Sequence, residues 1–286
     1  MQLRILENCR DSKVSDNGSK KKVAADNLQS ARYEFKYLVS EETARRVQQY
    51  TKSYLTPDKF TVGNEHIGYS VHSLYLDSRD LHTYDAVVNG AKNRFKLRLR
   101  FYDDDVDKPV FFEIKRRVNL VILKQRAAVK RKAVANLLTG KAPDYSDLFV
   151  DNEKNFKALF NFCRLRDKID AQPSAYTSYM REGYENPESN VSRVTLDRRL
   201  RAGRYNGQLT IRDLEKWATP EMGGVVLELK FTDQFPNWMH TLVQAFDITR
   251  GSFPKYVKCV TLLNGKESPE TGMQVPKSSL LDVANE

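Results

Sequence analysis

Throughout this chain, Lys, Arg, Glu or Asp recur on a two-residue spacing: Glu34 and Lys36, Lys96/Arg98/Arg100, Glu113 and Lys115, Lys124 and Arg126, Arg193 with Asp197, and Glu228 with Lys230. Residues two apart in a β-strand share a face. In RFKLRLRFY (Arg94 to Tyr102) the alternate positions Phe95, Leu97, Leu99 and Phe101 are apolar, so one face packs on a core while the other collects charge. On the charged face cations outnumber carboxylates. If such a sheet closes, its lysines and arginines repel one another in a low-dielectric cavity, where an isolated buried charge costs several kcal/mol. A polyanion such as a phosphate chain relieves that repulsion.

The 286 residues, 40% of them hydrophobic, suffice for one large domain with a sizeable core. A formal net charge of +10 points to an acidic partner: nucleic acid, an anionic membrane surface or a phosphorylated small molecule. Cys9, Cys163 and Cys259 are far apart and show neither metal-ligand spacing nor a disulfide framework, which suits a reducing cytoplasm. The start, MQLRILENCRDSKV, lacks a signal peptide's apolar stretch, and no run of about 18 apolar residues occurs.

Residues 1–29, with the KKK run at Lys20 to Lys22, are expected to form a disordered polar arm, and residues 265–286 a flexible tail. Between them, 30–264 reads as one domain. Strands are expected at 32–39, 68–77, 94–102, 110–117, 121–129, 173–184, 192–200 and 225–231. Helices are expected at 41–54, with Ser40 as N-cap, and at about 131–139, 153–166 and 236–247. The fold class expected is α+β: an eight-stranded antiparallel β-barrel tunnel with helices inserted between strands and around it.

RFKLRLRFY and FFEIKRR (Phe111 to Arg117), joined by the acidic turn DDDVDKP, read as a hairpin whose inward face holds Lys96, Arg98, Arg100, Glu113 and Lys115. The plainer alternative is a half-wet sheet with these residues in solvent. YTSYMREGY (Tyr176 to Tyr184) places Tyr179 and Arg181 on one face, and SRVTLDRRL (Ser192 to Leu200) does the same for Arg193, Thr195 and Asp197. Arginine suits fork-like contacts to phosphate oxygens. Tyr179 is either a hydroxyl donor or an aromatic wall. Glu228, within the apolar run VVLELKF, is either a salt-bridge partner or a ligand for a hard divalent cation, which takes one or two carboxylates plus substrate phosphates.

Taken in order, YEFKYLV (Tyr33 to Val39), YSVHSLYLDS (Tyr69 to Ser78), KLRLRFY with FFEIKRR, YMREGY with RVTLD, VLELKF and FPKYVK (Phe253 to Lys258) resemble a known family. It is the polyphosphate polymerase domain of the vacuolar transporter chaperone (VTC) type, within the CYTH-like triphosphate tunnel metalloenzymes. The resemblance spans about residues 30–264. It implies a tunnel in which Lys36, Arg98, Arg100, Lys115, Arg181, Arg193 and Lys255 hold and activate a triphosphate, Tyr179 donates a hydroxyl, and Glu228 holds Mn²⁺ or Mg²⁺. Lys96, Lys124 and Arg126 join the substrate-binding set from their places on the charged face. Pro254 stands where the family usually has Ser, so a hydroxyl and a backbone donor are lost beside Lys255. Glu34-Phe35-Lys36 differs from the first-strand signature of classical CYTH enzymes and favours the VTC branch. The short N-terminal arm leaves no room for an SPX domain, as in the stand-alone bacterial form.

The activity so implied is transfer of the γ-phosphoryl group of ATP onto polyphosphate by a cytoplasmic enzyme. ATP, triphosphate and polyphosphate are the expected partners. The alternatives are a metal-dependent tripolyphosphatase or nucleoside triphosphatase of the same fold, and a non-catalytic polyphosphate-binding module. Nucleic acid is not expected, because the basic residues are spaced along strands rather than interleaved with exposed stacking aromatics. A membrane-protein partner is neither indicated nor excluded.

Overall fold

The computed structural model of the protein describes residues 32–64, 68–119, 121–186, 188, 191–211 and 216–265. The expected arm at 1–29 and the tail after residue 265 lie outside the described residues. The strands are β1 (Arg32–Val39), β2 (Thr56–Pro57), β3 (Tyr69–Asp77), β4 (Asn93–Phe101), β5 (Val110–Val118), β6 (Val121–Val129), β7 (Gln172–Glu185), β8 (Ser192–Gly203), β9 (Val225–Thr232) and β10 (Arg250–Gly251). The helices are α1 (Glu41–Lys52), α2 (His82–Val88), α3 (Val134–Leu138), α4 (Glu153–Lys168), α5 (Asn237–Ala245) and α6 (Lys255–Leu263). No described helix is long and apolar enough to cross a membrane.

All eight strands read from the sequence are present, joined by the two-residue strands β2 and β10, in one antiparallel ten-stranded sheet. Pairing runs β6–β5–β4–β3–β7–β8–β9–β1. β1 pairs with β9 from Arg32↔Thr232 to Val39↔Val225, but meets β6 only through Arg32↔Ile122. The expected closed barrel is therefore corrected to a sheet curled until its two ends approach, with no continuous ladder between β1 and β6. The middle of β6, Leu123 to Arg126, borders that seam, with the Lys124 side chain turned in to Glu113.

The register confirms the period-two reading. Arg98 lies opposite Glu113, and Glu113 opposite Arg126. Arg181 faces Asp197, Thr195 faces Glu228, and Glu228 faces Lys36. These inner positions alternate with outward apolar ones. Leu97, Leu99, Phe112 and Ile114 pack with Leu159 and Phe162 of α4, and Leu227 and Leu229 with Val47 of α1 and Met239 of α5.

α1 starts at Ser40, whose hydroxyl accepts the Thr43 N–H. α2 and α6 are absent from the sequence expectation. Both are rich in β-branched or aromatic residues with weak helix propensity, so tertiary contacts decide them. The Asp77 carboxylate at the end of β3 accepts the Thr83 and Tyr84 N–H groups and so caps α2. α6 packs against the inner face of the sheet, with Tyr256, Val257 and Val260 meeting Tyr75 and Ala175. Pro254 precedes its first turn, where a missing N–H removes no intrahelical bond.

Candidate phosphate-binding site

The inner face lines a cavity of about 920 Å³, and a second of about 480 Å³ adjoins it. Lys36, Lys96, Arg98, Arg100, Lys115, Lys124, Tyr179, Arg181, Arg193, Glu228 and Lys255 line the first chamber. Arg126 lines the second, and Arg100, Lys124, Arg181 and Arg193 line both. Every site residue read from the sequence thus lines one or both of two basic cavities that share four cations, and the solvent-facing alternative for the hairpin is set aside.

Sequence reasoning underrated the carboxylates. Glu113 is fully buried and receives Arg98 at 2.7 Å, Lys124 at 2.7 Å and Arg126 at 3.5 Å. Those cations hold its carboxyl well below the usual range against the opposing effect of burial, which is the largest single influence. Glu34 receives Lys115 at 2.9 Å and Lys36 at 3.0 Å. Asp197 takes the Arg181 guanidinium through both oxygens, at 2.6 and 2.7 Å, and Lys255 at 2.6 Å. The two-residue spacing had marked Glu34, Glu113, Asp197 and Lys230 as charged-face residues, but nothing in it assigned partners.

Glu228 sits at the hub of the β1–β9–β8 wall. Lys36 and Lys255 (3.1 Å) reach its Oε1, while Lys230 (2.6 Å) and Arg181 (3.3 Å) reach its Oε2. Burial raises its pKa, but Lys230, Lys255, Lys36 and Arg181 together drive it well below the ordinary value, so it is ionised. Its salt-bridge role is therefore present in the geometry. Among the described residues, no three His, Cys, Asp or Glu side chains cluster into a self-sufficient metal site.

The Tyr179 ring lies between two cations, with Arg181 at 5.2 Å and Lys255 Nζ at 4.9 Å from its centroid. Its hydroxyl accepts from Arg100 Nη2 at 3.3 Å. Wall and hydrogen-bonding group are thus combined in one residue.

Cationic charge remains in excess. Lys96, Lys115 and Lys124 lie directly opposite one another across β4, β5 and β6, an unfavourable like-charge row. Glu34 and Glu113 compensate the last two. Burial first, then Lys115, Lys36, Arg94 and Arg98, push Lys96 down to about 7. Burial also pulls Lys124 and Lys230 down to about 7, against the pull of Glu113 and Glu228. Lysines lowered in this way by burial and by neighbouring cations mark a site rich in positive charge.

The profile of the VTC domain family matches residues 31–264. No curated protein matches the chain. Among solved structures, a candidate adenylate cyclase from Bacillus halodurans is similar at 13% identity, covering 78% of this chain and 93% of that one, with a TM-score of 0.42. A protein of Pyrococcus horikoshii is similar at 12% identity, with 82% and 99% covered and a TM-score of 0.41. A Mimivirus capping enzyme triphosphatase follows at 8% identity, with 76% and 88% covered and a TM-score of 0.35. With its basic cavity built from the matched segment, the chain belongs to the VTC domain family.

Proposed function

We propose that this protein transfers the γ-phosphoryl group of ATP onto a polyphosphate chain held in the cavity, which then acts as a tunnel. One observation carries the reading: Arg100, Lys124, Arg181 and Arg193 belong to both chambers, so cationic lining continues beyond the space a triphosphate needs. Such continuity suits a linear polyanion and favours an acceptor chain over water as the attacking group.

Phosphoryl transfer is mostly a matter of positioning and charge neutralisation. Lys36, Arg98, Arg100, Lys115, Arg181, Arg193 and Lys255 are the groups proposed to grip non-bridging oxygens, with Lys96, Lys124, Arg126 and Tyr179 extending the grip. Their carboxylate partners keep them oriented before substrate arrives.

Glu228 is ionised, and a divalent cation held there would take the place of cations now on its two oxygens and complete its shell with phosphate oxygens and water. Mn²⁺ or Mg²⁺ bound there would neutralise charge developing on the transferred group. The deciding experiment incubates purified protein with ATP and Mn²⁺ and resolves the products on a gel. A polymer ladder is expected. Free phosphate alone would identify a triphosphatase, and neither product would leave a binding module.

A further inference from the structure

One buried carboxylate beside the cavity has no part in the phosphate grip. Asp58 lies in the segment after α1, away from the charged strands, and its side chain is 1% exposed. Its Oδ1 accepts the N–H groups of Phe60 (3.2 Å) and Thr61 (2.9 Å). Its Oδ2 accepts from Arg193 Nη2 at 2.6 Å and from the Tyr69 hydroxyl at 3.1 Å. Arg193 Nη1 meets Glu185 at 3.3 Å. Arg193 lines both chambers, whereas Asp58 and Glu185 line only the second. The guanidinium is therefore held from the second-chamber side by two carboxylates.

The arrangement is built into the fold. The Asp58 N–H donates to the Gly183 carbonyl at 2.8 Å, and the Gly183 N–H donates to Thr61 Oγ1 at 2.9 Å. Gly183 permits the approach, since a Cβ there would lie 2.2 Å from Asp58 Oδ2 and 3.3 Å from Arg193 Nη2. Beyond Asp58, Phe60 stacks on Tyr102 with centroids 5.3 Å apart at the chamber rim.

We infer that Asp58 determines specificity for chain length, because it occupies on Arg193 the place that a phosphate of a long chain must take. A triphosphate held in the first chamber meets Arg193 from the side that Asp58 does not line, and so leaves the Asp58 contact in place. A chain that extends into the second chamber must displace Asp58 and lie beside Glu185, and those like charges act selectively against it. This rests on the phosphate-chain reading of the cavity.

The test titrates wild type, Asp58→Asn and Glu185→Gln by calorimetry with tripolyphosphate and with polyphosphate long enough to span both chambers. Asp58→Asn is expected to bind the long chain about tenfold more tightly as one opposing charge is removed, with tripolyphosphate affinity held within about twofold. Glu185→Gln, which leaves the Asp58 turn intact, is expected to shift the same ratio by a smaller factor, and it decides the matter alone if Asp58→Asn does not fold. An unchanged ratio in the folded variants overturns the role of Asp58 while leaving the proposed function in place. Wild type that fails to bind tripolyphosphate overturns both.

Discussion

The Arg100 guanidinium stands 3.9 Å from the Glu113 carboxylate, while Arg98, two residues earlier on the same strand, holds it at 2.7 Å. Glu113 therefore serves Arg98 fully and Arg100 only at long range. Arg100 is 8% exposed, its Nε has no hydrogen-bond partner, and its Nη2 finds only the Tyr179 hydroxyl. It is a buried cation whose nearest carboxylate is engaged more closely by Arg98, at a position that lines both chambers.

Arg100→Ala is accordingly expected to weaken tripolyphosphate binding by about 1.5–3 kcal/mol, the range for hydrogen bonds to charged groups. Its ligand-free melting temperature should fall less than that of Arg98→Ala, because its nearest carboxylate oxygen lies 3.9 Å away. Arg98→Ala should weaken binding similarly and lower the ligand-free melting temperature further, since Glu113 loses its nearest guanidinium. Calorimetry paired with thermal denaturation checks both. Undiminished tripolyphosphate affinity in Arg100→Ala would show that the ligand does not meet this cation.

Tripolyphosphate is expected to raise the melting temperature strongly, ATP and pyrophosphate also, and orthophosphate much less. Ligand at 100 times its Kd adds about 2.7 kcal/mol to the stability of a protein that binds it only when folded. A melting temperature unmoved by saturating tripolyphosphate at low salt would argue for another ligand class.

Lys96, Lys124 and Lys230 give a signed pH dependence. Each is lowered to about 7 in the folded protein, with burial the largest cause. Between pH 7 and 9 the unfolded chain binds more protons at these sites, so ligand-free stability should rise with pH across that window and level off below about 7, where both states are protonated. Lys36 and Lys255 are raised by their carboxylate partners and act in the opposite sense only at higher pH, near and above the ordinary lysine value. Urea unfolding at pH 7 and 9 reads the slope. At pH 8, tripolyphosphate binding should also take up protons, seen as a buffer-dependent heat; flat stability and no proton uptake would mean that these lysines stay charged without ligand.

Glu228→Gln separates the two roles of the hub carboxylate. Leaving Lys36, Lys230, Lys255 and Arg181 without their shared partner should destabilise the ligand-free protein by roughly 3–5 kcal/mol, as breaking a buried ion pair does. Tripolyphosphate should still bind and should recover much of that loss, because its oxygens replace the missing charge. Under the proposed function, turnover should disappear at every Mn²⁺ concentration. A folded variant with normal turnover and normal metal dependence would remove Glu228 from the reaction.

What the sequence determined by itself was which side chains share a face. An extended backbone turns successive side chains to opposite faces, so Lys96/Arg98/Arg100, Glu113/Lys115 and Glu228/Lys230 were legible as sharing a charged face from spacing alone. Strand limits followed for the same reason, as did the Ser40 cap. The tertiary structure decided which charges meet. That Glu113 serves cations from β4 and β6, and that Lys36 and Lys255 converge on Glu228, depends on strand order and packing set by the whole fold. Lys255 was placed in the site only by family resemblance, because it lies on α6, a helix that low intrinsic propensity hid and packing against Tyr75 and Ala175 stabilises. Asp58 left no trace in the pattern: a loop residue has no period, and its role arises from a glycine 125 positions later that lets two backbones come close enough for its carboxylate to reach Arg193.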